Sequence, residues 1–137
     1  MIHRFHIRVH HVDDARTVLS AAAALGALVA LESPAGAALW QGLGWWRAIE
    51  RRLRAAFPAH AFTMVLDCAD APALAMMVGP GASVRLDASA EVVAKIAAMG
   101  IRVIPRTVPI ELDLAACSDA QAALALLLNH GTVGAAQ

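Results

Sequence analysis

Asp67 closes the apolar run Phe62-Thr63-Met64-Val65-Leu66 and is followed at once by Cys68. A run of this kind delivers a carboxylate to the end of a buried strand. There it needs a cation, hydrogen-bond donors or a proton, because an unpaired charge in a low-dielectric setting is costly. Two chemistries follow. In one, Asp67 is a general base, or orients a cationic or hydroxyl-bearing ligand, with His10 as its proton shuttle. In the other, Asp67 pairs across strands with Arg85 and merely neutralises the surface it sits on. The second is the plainer reading. Strand ends also bring His10, His11, Glu32, Ser33, Asp70, Asp87 and Arg106 to one rim, where parallel sheets bind ligands. Ser33, Arg85, Asp87 and Arg106 are the ligand-binding candidates, since an arginine fork holds a carboxylate or phosphate through two parallel hydrogen bonds.

Trp40 joins them as a possible lid. It lies in the irregular stretch from Ser33-Pro34-Ala35-Gly36 to Trp45-Trp46, whose small residues let backbone N–H groups approach an anion. The plainer role for these tryptophans is to fill space in an alanine-rich core. The histidines His3, His6, His10 and His11 suggest a metal, yet His6 and His10 stand about 13 Å apart along an extended strand, too far to share one ion. No metal is expected. Arg47, Arg51, Arg52 and Arg54 crowd one side of a helix, where pairing with Glu50 and contact with water account for them. Cys68 is a poor nucleophile candidate, because Asp67 and Asp70 beside it disfavour a thiolate.

The elements that would hold these residues read as strand–helix alternations. Phe5-Ile7-Val9 alternates with His6-Arg8-His10, which makes a half-buried first strand. Asp13 is the expected cap of a helix ending at Gly26, and Ala27–Glu32 is a second strand. An amphipathic helix from Trp45 to Phe57 stops at Pro58. A third strand over 62–68 and a short helix over 70–78 follow. Ser83–Asp87 is a fourth strand, Ser89 caps the next helix, and Ile101–Ile104 is a fifth strand. Thr107–Leu114 alternates as a sixth. Ser118 and Gln121 have capping-box spacing before a last helix reaching about Asn129.

Short loops between such units imply right-handed crossovers and a mainly parallel sheet of five or six strands, an α/β fold. Most strands are apolar on one side only, whereas a sheet covered on both faces is apolar throughout. Helices on one face of a half-barrel-like sheet, in order 1-2-3-4-5, are therefore expected. A flavodoxin-like three-layer sandwich is the alternative. One domain over 1–130 with a flexible tail over 131–137 fits the length.

The 137 residues carry 11 basic and 11 acidic side chains, a formal net charge of zero, and are 59% hydrophobic. That composition excludes intrinsic disorder and argues against a general nucleic-acid binder, which needs a basic field. The stretch Thr17–Leu31 has 15 residues, fewer than the ~20 a membrane span requires. Cysteine usage and the polar N-terminus point to the cytoplasm. Neither G-x-G-x-x-G nor a Walker motif is present, so no cofactor is expected. Two functions are compatible with this reading. One is a self-associating or partner-binding module, most simply a homo-oligomer. The other is a small-molecule enzyme, a lyase, isomerase or hydrolase, with an anionic ligand at the strand C-termini.

Overall fold

A computed structural model describes residues 3–135, and side chains as far as residue 130. Six strands make one sheet: β1 (Arg4–Arg8), β2 (Leu28–Glu32), β3 (Thr63–Asp67), β4 (Ser83–Arg85), β5 (Arg102–Ile104) and β6 (Leu112–Asp113). Between and after them run α1 (Val12–Leu25), α2 (Ala37–Trp40), α3 (Leu43–Ala56), α4 (Pro72–Met76), α5 (Ala90–Ala98) and α6 (Ala120–Ala135). Every pairing is parallel, and the order is β5-β4-β3-β2-β1-β6. The first five strands are thus laid down side by side with no reversal, which excludes the flavodoxin-like alternative. β6 then returns to the free side of β1, the place a sixth strand would hold in a closed ring. The ring stays open between β5 and β6.

Helices cover one face. Phe5, Ile7, Val9, Val29, Leu31, Met64, Leu66 and Val84 form a single core with Ala15, Val18, Leu19 and Ala22 of α1, Trp46, Ile49 and Leu53 of α3, Ile96 of α5, and Leu124 and Leu128 of α6. The α1 residues recur at i, i+3, i+4 and i+7, the spacing that aligns one helix face with a sheet. Ala30 and Val65 are fully buried but point the opposite way, beside the polar side chains of the strands. The alternation read from sequence is therefore the true in–out pattern, and the one-sided half-barrel is the fold.

Some boundaries differ from expectation. α1 begins at Val12, and its N-cap is His11 with no side-chain bond. Asp14 instead accepts a hydrogen bond from the His10 amide, and Asp13 sits in the first turn, where its charge favours the helix dipole. α6 is capped by Asp119, which accepts from the Ala122 amide, rather than by Ser118. Its backbone continues past Asn129 to Ala135. The expected flexible tail over 131–137 lies outside the residues whose side chains are described.

The largest correction concerns Thr107–Leu114. Only Leu112 and Asp113 pair as strand. The preceding residues, 105–111, form a strap that leaves β5, crosses the polar face and reaches β1. Arg85 Nη1 donates to the Pro105 and Val108 carbonyls at 3.2 and 2.7 Å, and the Glu111 amide donates to the His6 carbonyl at 2.8 Å. Pro105 and Pro109 lack the N–H that a strand would use, which favours this irregular path over a ladder.

Candidate functional site

The polar face collects its charges because side chains two apart along each strand share a face and parallel register stacks them. Glu32 lies at its centre, fully buried. His6 Nδ1 donates to Glu32 Oε2 at 2.6 Å. Arg85 grips the same carboxylate with two bonds, Nε to Oε1 at 3.0 Å and Nη2 to Oε2 at 2.9 Å. Burial alone would push the Glu32 carboxyl up. The hydrogen bonds and positive charge of His6 and Arg85 outweigh it and hold the group below its ordinary value of 4.5. Sequence reading places Glu32 only at the rim, as one acid among several. Its weight shows once β2 and β4 are assembled around β3.

Asp67 takes a different cation. Its Oδ2 accepts from Arg8 Nη2 at 3.3 Å and its Oδ1 from the Ala69 amide at 2.8 Å. Asp67 and Arg85 are register partners, as expected, but no bond joins their side chains. The expected Asp67–Arg85 pair is replaced by two pairs that each skip a strand: Arg8 of β1 reaches Asp67 of β3, and Arg85 of β4 reaches Glu32 of β2. An inward curve of the sheet brings such next-nearest side chains together.

The other candidates separate. Ser33 is buried, and its hydroxyl accepts from the Asp67 amide at 2.9 Å while donating to the Pro34 carbonyl at 3.0 Å. Its carbonyl takes Arg8 Nε at 2.9 Å. Ser33, Asp67 and Arg8 therefore form one hydrogen-bonded knot. His10 is not part of it. Its Nε2 lies 2.7 Å from Oδ1 of Asp113 on β6, an ion pair only partly open to solvent. Asp87 and Arg106 do approach each other, at 3.7 Å, but both are largely exposed. Trp40 is 60% exposed, its indole N–H donating to the Ala35 carbonyl, and it fills no part of the core.

The histidines disperse to separate acids: His3 to Glu111, His6 to Glu32, His10 to Asp113 and His11 to Asp14. Among the described residues no three His, Cys, Asp or Glu side chains converge on a metal position. Cys68 is fully buried, and burial, with Asp67 adding to it, pushes its thiol up to about 11. Such a thiol stays protonated at neutral pH and is no nucleophile.

A groove of about 410 Å³ occupies the opposite end of the sheet from the anticipated rim. It opens at the N-terminal ends of β3, β4 and β5 beside α3, and none of the residues singled out above as ligand-binding lines it. Comparison of the chain with protein families, with curated proteins and with solved structures gives no match.

Proposed function

We propose that this chain is a self-associating module that docks a second copy of itself through the outer side of α6. One observation carries the reading. Among the described residues the exposed positions of α6 are Gln121, Ala122, Ala125, Leu126, Asn129 and His130, with Leu126 65% exposed, and no Asp, Glu, Lys or Arg occurs from Ala120 to Gln137. A solvated helix places charge on its outer side, as α3 does with Arg47, Glu50, Arg51, Arg52 and Arg54. Alanines at 122 and 125 let a neighbouring helix come close. An uncharged face has nothing to repel its own copy across a two-fold axis, and the formal net charge of zero adds no long-range repulsion. The polar face takes no part in this contact, because its buried acids are already paired within the chain. Among the described residues no helix is long and apolar enough to cross a membrane.

Native mass spectrometry of the wild-type chain and of Leu126→Glu tests this. Expected is an oligomer of bare chain mass for the wild type and a monomer for the folded variant. A wild-type monomer, or a variant that assembles equally well, refutes it.

A second reading rests on His10 and Asp113. A carboxylate 2.7 Å from Nε2 orients the ring and leaves Nδ1 to move a proton, as an enzyme acting on a small anion at the strand C-termini requires. A monomer carrying stoichiometric extra mass, lost in His10→Gln, favours that reading instead.

A further inference from the structure

The groove beside α3 has a composition that neither reading uses. Trp46, Met64 and Val78, all buried, give it an apolar floor. Its mouth holds three arginines, Arg47, Arg54 and Arg102, against one acid, Glu50. Glu50 is already taken by Arg54 at 3.1 Å, and the same guanidinium lies 4.0 Å from the centre of the Phe62 ring. Arg47 is steered by the Met77 and Val78 carbonyls, which orient its guanidinium without cancelling its charge. Arg102 is exposed, and its guanidinium has neither a hydrogen bond nor an ion pair among the described residues. Its register partner Ser83 lines the same groove, and so does Thr63.

We propose that this groove binds a small amphipathic anion, with a carboxylate or phosphate head on Arg102 and an apolar body over Trp46, Met64 and Val78. Its volume lies within the roughly 300–1,000 Å³ usual for small-molecule sites, and an apolar floor with a few convergent polar groups is their common form. The surplus of two positive charges selects an anion. The fork of Arg102, bound to nothing among the described residues, supplies the two parallel donors that such a head accepts. A fully hydrated anion such as inorganic phosphate would gain nothing from the floor, and an uncharged chain would leave the arginines idle. The ligand must therefore combine both parts. This site is separate from the outer side of α6, and neither depends on the other.

Isothermal titration with decanoate and with decyl phosphate tests the assignment on wild type, Arg102→Gln, Arg52→Gln and Leu126→Glu. Arg102 is exposed at the edge of the sheet, so its replacement leaves the core intact, and the thermal melt of each variant confirms folding. Expected is saturable one-to-one binding of at least one probe, weakened at least about tenfold by Arg102→Gln. Arg52 is an exposed arginine of α3 that does not line the groove, and Arg52→Gln leaves binding unchanged. The difference between the two probes identifies the preferred head group. Three results overturn the proposal: no saturable binding of either probe, equal binding by Arg102→Gln, or loss of binding in Leu126→Glu. The last would place the probe on α6.

Discussion

Asp67 and Arg85 face each other in register on adjacent strands, yet each holds a partner two strands from its own. Arg85 reaches over β3 to Glu32, and Asp67 is reached over β2 by Arg8. The two pairs interleave across the polar face, and the strap over 105–111 seals Arg85 from above with two carbonyl oxygens.

Double-mutant cycles separate this arrangement from the simpler cross-strand pair. The Arg8→Met/Asp67→Asn cycle is expected to show a coupling of about 1 kcal/mol, and the Arg85→Met/Asp67→Asn cycle a coupling within about 0.5 kcal/mol of zero. Urea unfolding of the single and double variants measures both. Equal coupling in the two cycles would mean that Asp67 shares Arg85.

Glu32→Gln leaves Arg85 buried without its counter-charge and is expected to cost roughly 3–5 kcal/mol at neutral pH. The acid limb carries the same signature. The folded carboxyl is held below its ordinary 4.5, so its stabilisation is complete above that value and drains away as the pH falls through the folded one. Wild-type stability therefore drops as the pH falls through and below 4.5, and Glu32→Gln, which has no carboxyl to titrate there, loses less over that range. Unfolding curves at both ends check the difference. An identical drop in the variant removes Glu32 from the account.

Thiol labelling tests the burial of Cys68. With its thiol raised to about 11 and no solvent access, Cys68 is expected to stay unmodified in the native chain at pH 8, whereas the half-buried Cys117 reacts first. Full unfolding in denaturant releases both. A Cys68→Ala variant that abolishes the fast native reaction would reverse the assignment.

Much of the fold is legible in the residues because it rests on local periodicity. Phe5-Ile7-Val9 alternates strictly with polar residues, Met64-Leu66-Cys68 does so except at Val65, and that alternation distinguishes one covered face from two. Gly26, φ 65°, ends α1 in the left-handed region that glycine enters without strain, so the helix stop is written in one residue. The site is less legible, since its contacts are long-range. Glu32 and Arg85 are 53 residues apart and Arg8 and Asp67 are 59 apart. Which acid meets which arginine depends on curvature, and no local pattern encodes curvature. Thr107–Leu114 misleads for a related reason. Its alternating Val108, Ile110 and Leu112 satisfy the strand rule, but a segment crossing a half-buried face also needs every second residue apolar. The groove beside α3 escapes notice because its lining comes from several separate stretches of the chain.

The return of β6 to β1 has a consequence for how the chain reaches this structure. The first five strands each join a neighbour made shortly before, so the chain can add them one unit at a time as it leaves the ribosome. β1 completes its second edge only when residues more than a hundred positions downstream arrive, bringing the strap that covers Glu32 and Arg85. Closing so long a loop carries a larger entropic barrier than any nearest-neighbour step. Until then the buried acids lie open to water, and the nascent chain carries a wet, charged trough in place of a finished interior. Loop-closure entropy thus favours docking of the C-terminal quarter after the first five strands have paired.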